Sequence, residues 1–171
     1  VIEGMIKYYL TGFLLVSLIF SMLGPEITNL LVPPKFQSAY RVIPWLTGAF
    51  VLHHSGGILN MGSIIKERTA INSIAAWIGF ALNVILCLLL IRPYGILGAS
   101  IGLFVANTVA NAILLWKTEQ LTEIRFDKLY IGLLLMLYIV INIGILFLVS
   151  HTESFVFSLV SRILVVLAVI L

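Results

Sequence analysis

The sequence predicts an all-α integral membrane protein. The chain of 171 residues is 61% hydrophobic and only 10% charged, whereas soluble domains are about 45–50% apolar and about 25% charged. Its ten Lys and Arg residues against seven Asp and Glu residues give a net charge of +3, and they lie between long apolar blocks. This pattern favours a membrane, where basic residues mark the cytoplasmic side, and argues against a nucleic-acid partner.

Six apolar blocks are long enough to cross a bilayer, because about 30 Å of hydrocarbon requires about 20 mostly apolar helical residues. The predicted spans are 6–23, 44–65, 70–91, 97–116, 129–150 and 155–171. Short connections predict antiparallel neighbours within one transmembrane domain, 1–171. Since the chain begins with Val1 and stops at Leu171 within an apolar stretch, we expect a fragment of a longer protein.

Two connections stand out from the rest. The first, 24–41, contains three prolines, so the first helix is expected to end before it and residues 26–32 to form one or two amphipathic turns at the membrane interface. The second, 117–128, is the one strongly charged loop.

The basic residues predict the orientation of the helices. One side of the predicted membrane domain has six of them and the other has three. The first group is Lys7, Lys66, Arg68, Lys117, Arg125 and Lys128, and the second is Lys35, Arg41 and Arg92. Because positive residues near helix ends are retained in the cytoplasm, both ends of this segment are predicted to be cytoplasmic.

Small and polar residues form stripes on three predicted helices. The stripes are Ala49, His53, Gly56 and Asn60 on the second span, Asn72, Ala76, Gly79 and Asn83 on the third, and Gly98, Gly102, Ala106 and Ala110 on the fourth, with Asn107 and Asn111 beside the last. Such a stripe allows tight helix packing with amides that bridge neighbouring helices. Alternatively, the same faces line a polar cavity.

Two basic side chains invite a functional interpretation. Arg162 lies near the middle of the sixth span, where a charge costs at least about 3 kcal/mol, so it either extends to the interface or contacts a substrate or lipid headgroup. His53 is followed by His54, but adjacent helical residues point about 100° apart and cannot easily chelate one ion. No metal site is predicted, and coupling of transport to protonation of His53 stays open.

The chain contains none of the nucleotide-binding, metalloprotease, hydrolase or redox motifs that would indicate an enzyme. Its carboxylates lie at or outside the predicted helix ends or in a loop, so no acid pair is placed in a dry site for acid–base chemistry. We therefore expect neither enzymatic activity nor a cofactor.

Several local motifs occur in a recognisable order. They include Leu23-Gly24-Pro25-Glu26-Ile27, then His54-Ser55-Gly56-Gly57-Ile58-Leu59-Asn60, and then Tyr94-Gly95-Ile96-Leu97-Gly98-Ala99 after a helix that carries Asn83. This order resembles the C-terminal half of the polysaccharide transporter or O-antigen flippase family, part of the MOP superfamily that also contains the MATE multidrug exporters. The resemblance covers about residues 24–115.

The resemblance implies a bundle of two six-helix lobes with a cavity that opens alternately to each side of the cell inner membrane. This chain would be the C-terminal lobe, and its partners would be membrane lipids, the N-terminal lobe and a polyprenyl-diphosphate-linked oligosaccharide substrate. The candidate cavity residues are Arg162, Asn83, Asn107, Asn111, His53 and Asn60. Two alternatives stay open: a cation-coupled multidrug exporter of the MATE type, and a non-transporting scaffold that recruits polysaccharide assembly proteins through the loop at 117–128.

Overall fold

A computed structural model describes residues 2–60, 64, 69–121 and 126–151, and in these ranges every regular element is a helix. The elements are α1 (Ile2–Leu31), a 3₁₀ helix (Pro34–Arg41), α2 (Ile43–Leu59), α3 (Ala70–Tyr94), α4 (Ile96–Leu121) and α5 (Lys128–His151).

Four of these helices, α1, α3, α4 and α5, are long and apolar enough to cross a membrane. The 3₁₀ helix and α2 meet at an angle of 49° and would add a fifth span if they cross as one bent unit. The all-helical, multi-pass class is thereby confirmed for the described residues, with four to five candidate spans. The sixth predicted span, 155–171, lies outside them.

The first helix is longer than predicted, because it continues through Pro25 to Leu31. The expected separate segment at 26–32 is instead the end of α1. Proline lacks the N–H that would bond to the preceding turn, but membrane helices tolerate it where hydroxyl side chains serve the backbone groups nearby. The missing N–H would have bonded to the Ser21 carbonyl oxygen. In the next turn the Thr28 hydroxyl donates to the carbonyl oxygens of Gly24 at 2.9 Å and Pro25 at 3.0 Å. A Cβ atom on Gly24 would lie 3.2 Å from Ile43 and 3.6 Å from Tyr40, so α1 packs closely at this glycine against the segment that follows it.

Three other predicted ends also move. α3 ends at Tyr94 rather than at residue 91, because Gly95, with a φ of 58°, is the residue that stops it. α4 continues to Leu121 rather than to residue 116, and Thr118 in this extension donates a hydrogen bond to the carbonyl oxygen of Leu59 at 2.8 Å. α2 ends at Leu59, and residues 61–63 and 65 of the predicted second span lie outside the described ranges.

The fourth helix is central to the bundle. It packs against α3 on one side and α2 on the other, while α1 packs against α2 and α5. A Cβ atom added to Gly102 would lie 3.1 Å from Leu86 of α3, and one added to Gly79 of α3 would lie 3.0 Å from Ala110. The predicted stripe of small residues on α4 is therefore its contact surface with α3, as close helix packing in membranes requires.

Basic residues gather at one end of the bundle. The Nζ atom of Lys7 on α1 lies 3.2 Å from Asp127, and Lys128 at the start of α5 pairs with Glu119 near the end of α4. Lys7, Lys128 and Lys117 therefore lie at the same end, as the predicted topology requires, whereas Lys66, Arg68 and Arg125 lie outside the described residues. That this end is cytoplasmic stays a prediction.

Candidate functional site

Three of the six predicted site residues meet in a cleft between α2, α3 and α4. His53, Asn83 and Asn107 line this polar cleft of about 200 Å³, one from each helix. The remaining lining residues are Gly79, Phe80, Leu103 and Ala106. At a rise of 1.5 Å per residue, Asn83 and Asn107 lie about 16–21 Å from either end of their helices. Both amides are therefore near the middle of candidate membrane spans.

The polar side chains of the cleft retain hydrogen-bonding capacity. The Asn107 Nδ2 atom donates to the carbonyl oxygen of Leu103 at 2.9 Å, within its own helix. The Asn83 Oδ1 atom accepts a long bond of 3.5 Å from the Cys87 thiol, also within one helix. Within the described ranges, neither amide nor His53 bonds to another helix. Their remaining donors and acceptors are available to a group that enters the cleft.

A cleft of this composition is costly to expose to hydrocarbon. Polar and ionisable groups within membrane spans face protein or a water-filled cavity, and they mark substrate pathways. The side chain of His53 is exposed on the described bundle, and Asn83 and Asn107 are half-buried. We therefore infer that this face of the bundle lies against water, substrate or further protein rather than lipid tails.

Asn111 has a different environment, although it is one helical turn from Asn107. Its Nδ2 atom donates to the carbonyl oxygen of Leu52 and to Ser55 Oγ, at 2.9 Å for the latter, so it bridges α4 to α2. The absence of a side chain at Gly56 permits this approach, because a Cβ atom there would lie 3.1 Å from the Asn111 Oδ1 atom. This is the packing role that the sequence left open as one of two interpretations.

The other two predicted residues are Asn60 and Arg162. Asn60 follows the last residue of α2, where its backbone N–H donates to the Gly56 carbonyl oxygen at 2.9 Å, and it does not line the polar cleft. Arg162 lies outside the described residues, so its predicted contact with substrate or headgroup stays a prediction.

A larger cavity lies on the other side of α2, between α1, α2, α4 and α5. This apolar crevice has a volume of about 430 Å³. Its lining residues are Ile6, Leu10, Leu52, Ser55, Leu59, Thr108, Asn111, Ala112, Leu115, Trp116, Lys128, Ile131, Gly132 and Leu135. Of the five predicted site residues that the structure describes, Asn111 lines the crevice and the other four do not.

Sequence reasoning did not identify a buried polar cluster that joins α1, α2 and α5. The Tyr138 hydroxyl donates to the Pro44 carbonyl oxygen and lies 2.7 Å from Ser17 Oγ, which is also 2.7 Å from Thr47 Oγ1. A Cβ atom on Gly48 would lie 2.8 Å from the Tyr138 hydroxyl, so the ring depends on that glycine. Each residue is unremarkable in its own span, and only their meeting across three helices reveals the cluster.

Comparisons of the chain with protein-family models, with curated proteins and with solved structures found no match.

Proposed function

We propose that this chain is the C-terminal six-helix lobe of a cell-inner-membrane carrier that moves a lipid-linked oligosaccharide from the cytoplasmic to the outer leaflet by alternating access. The observation that supports this function best is the polar cleft, where His53, Asn83 and Asn107 meet from three helices. In this proposal the end of the bundle with Lys7 and Lys117 faces the cytoplasm.

The chemistry of the cleft suits the sugar part of such a substrate. Amide and imidazole groups both donate and accept hydrogen bonds, which matches hydroxyl groups that do the same. A headgroup of sugars and diphosphate cannot cross hydrocarbon without such partners, because each unsatisfied polar group costs several kcal/mol there. We assign the diphosphate to Arg162, whose guanidinium can bind phosphate oxygens in a bidentate manner.

The cleft by itself is too small to enclose an oligosaccharide. Its volume of about 200 Å³ is below the roughly 300–1,000 Å³ of typical ligand pockets. We propose that it forms one wall of a central cavity and that the N-terminal lobe of the same protein supplies the opposite wall. This arrangement agrees with the binding sites of many carriers, which lie near the bilayer midplane between structural repeats.

Reconstitution tests the proposal. The protein that contains this chain is placed in liposomes with a fluorescent polyprenyl-diphosphate-linked oligosaccharide, and transfer between leaflets is followed with an impermeant quencher. We expect His53→Ala, Asn83→Ala and Asn107→Ala each to slow transfer about fivefold, as the loss of a hydrogen bond worth about 1 kcal/mol predicts. His54→Ala is the matched control, because His54 is the same residue type on the same helix and does not line the polar cleft.

The same assay separates the proposal from its two alternatives. If the wild-type protein does not transfer the substrate, the carrier function is wrong. If the cleft variants transfer it at the wild-type rate, the assignment of the substrate to the polar cleft is wrong. A scaffold would be indicated if substitutions of the loop charges at 117–128 abolished polysaccharide assembly in cells while the cleft variants had no effect. A MATE-type exporter would be indicated if the liposomes transported a cationic drug in response to a Na⁺ or H⁺ gradient but left the oligosaccharide in place.

A further inference from the structure

The apolar crevice has the dimensions of a binding site for a single extended chain. Its volume of about 430 Å³ is within the roughly 300–1,000 Å³ of small-molecule pockets. It begins at Lys128, the first residue of α5, and reaches Leu135 on the same helix, which is a depth of about 10 Å at 1.5 Å per residue. The crevice therefore extends from the basic end of the bundle toward its middle.

The walls of the crevice offer hydrocarbon contacts and no unused hydrogen-bond donors from its hydroxyl and amide side chains. Both donor contacts of the Asn111 amide go to α2, the Ser55 hydroxyl donates to the Leu52 carbonyl oxygen at 2.7 Å, and the Thr108 hydroxyl donates to Phe104 at 2.8 Å. Because a polar occupant would find these donors engaged, the walls favour a hydrocarbon chain.

The mouth of the crevice has the chemistry of a headgroup site. Trp116 lines it, and the Lys117 ammonium lies 4.4 Å from the centre of the Trp116 ring. Lys128 also lines the mouth, and its charge is paired with Glu119. Lys117 donates to the neutral side chain of Gln120 and, among the described residues, forms no ion pair. An aromatic ring beside an unpaired cation is typical of the membrane interface, where basic residues attract anionic lipids.

We propose that the apolar crevice binds one acyl chain of an anionic phospholipid whose phosphate group lies between Lys117 and Lys128. The crevice thereby holds a resident lipid between α1, α2, α4 and α5. This inference does not depend on the proposed transport function, because it concerns a different cavity and a binding property.

A pair of glycines on α5 tests whether the chain enters the crevice. Gly132 lines the crevice and Gly144 does not, and at both positions an added Cβ atom would meet no atom within 4 Å. The purified protein is loaded from vesicles of equal parts phosphatidylglycerol and phosphatidylcholine, and retained lipid is measured by mass spectrometry. We expect Gly132→Phe to reduce retained phosphatidylglycerol about tenfold and Gly144→Phe to leave it unchanged. Equal retention by the two variants, or equal loss, would overturn the proposal.

A pair of lysines tests the headgroup contact in the same experiment. Lys117 and Lys35 each lie over a neighbouring aromatic ring, but Lys35 is at the opposite end of the bundle. We expect Lys117→Gln to lower the preference for phosphatidylglycerol about fivefold, the effect of about 1 kcal/mol for one basic residue near an anionic surface. Lys35→Gln should leave the preference unchanged. A wild-type protein that retains both lipids equally would refute the headgroup assignment.

Fluorescence gives an independent measurement if Gly132→Phe does not fold. In a variant with Trp45→Phe and Trp77→Phe, Trp116 is the single tryptophan of the chain. Brominated phosphatidylglycerol should quench its emission at lower mole fraction than brominated phosphatidylcholine. Equal quenching by the two lipids would contradict the proposal. Displacement of the bound phospholipid by a polyprenyl phosphate at equal mole fraction would also contradict it, because the preferred occupant would then be an isoprenoid.

Discussion

The polar cleft and the apolar crevice lie on two sides of α2, and the walls of both include polar side chains. In the crevice, the donors of Ser55, Thr108 and Asn111 are all engaged by the protein itself. In the cleft, His53, Asn83 and Asn107 form no bond to another described helix. The cleft is the smaller cavity, but it offers a ligand more free hydrogen-bond donors and acceptors than the crevice does. The availability of these groups decides what a cavity binds.

Two asparagines show this difference most directly. Asn107 and Asn111 are one turn apart on α4, and nothing in their residue type separates them. Asn111 bridges to α2, whereas Asn107, within the described part of the chain, bonds to the carbonyl oxygen of Leu103 in its own helix. The amide that serves helix packing and the amide that faces the cleft are thus distinguished by their partners rather than by their position in the stripe.

The largest expected effect on stability comes from substitution of Gly98. Both cavities depend on the position of α4, and Gly98 lies on that helix. A Cβ atom at Gly98 would collide with the backbone carbonyl oxygen of Leu90, which cannot move as a side chain can. We expect Gly98→Ala to lower the free energy of unfolding by about 3 kcal/mol, the upper end for overpacking, measured by denaturant unfolding in detergent micelles.

Gly57→Ala is the control for that substitution. Gly57 is exposed on α2, and an added Cβ atom there meets nothing within 4 Å. The same chemical change should therefore stabilise the protein by about 0.5–1 kcal/mol, because alanine loses less backbone entropy than glycine in a helix. If both variants were destabilised equally, the contact of α3 with α4 would not determine the bundle.

Substitution of the two asparagines should change the free energy of unfolding by different, smaller amounts. Asn111→Ala removes the bridge to α2 and should lower the free energy of unfolding by about 1–2 kcal/mol, as measured for hydrogen bonds between membrane helices. Asn107→Ala removes one bond within its own helix and should cost less than half as much. Equal losses in the two variants would break the distinction between a packing amide and a cleft amide.

Solvent access tests the same distinction without relying on stability. In a Cys87→Ser background, Asn107→Cys and Asn111→Cys place a thiol in the cleft and at the bridge. Because thiolate formation requires contact with water, we expect a water-soluble maleimide to label the Asn107→Cys variant faster, on the order of tenfold. Labelling at similar rates would indicate that the cleft is covered by lipid or closed by protein.

Sequence patterns predict the features of this fold that depend on periodicity. The apolar blocks predict the membrane helices, and the four-residue spacing from Gly98 to Ala110 predicts the face of α4 that contacts α3. Spacing also places His53, Asn83 and Asn107 on inward faces, which is why the structure can bring them together. These properties follow from the 3.6-residue repeat and require no knowledge of distant contacts.

Features that depend on pairing across the chain could not be predicted in this way. Asn111 is engaged because Leu52 and Ser55, more than fifty residues away, lie opposite to it. The prolines suggested an end to α1 near Pro25, but the helix continues to Leu31 and approaches Tyr40 and Ile43 closely at Gly24. In both cases a contact outside the local pattern decides the outcome.

The smallest expected effect is a pH dependence confined to the end of the bundle that contains the mouth of the crevice. The Asp127 carboxylate accepts a bond from the backbone N–H of Tyr130 at 3.1 Å and pairs with Lys7, and these contacts hold the pKa of Asp127 below its usual value, with the backbone bond as the larger cause. Because the pKa is lowered in the folded protein, the contribution to stability is present above the ordinary pKa of 3.8 and is lost as the pH falls through the lowered value.

Acidification below about pH 4 should therefore shift the emission of Trp116 in the single-tryptophan variant and leave maleimide labelling of the Asn107→Cys variant unchanged. Asp127→Asn should remove the part of the Trp116 emission shift that depends on protonation of this carboxyl. The response of the Trp116 emission to detergent or lipid composition should stay as in the wild-type protein. The effect should be small, because both partners of the ion pair are partly exposed and solvent screens them. If acid changed both cavities together, the two sides of α2 would respond as one cooperative unit, and the distinction between the crevice side and the cleft side would fail.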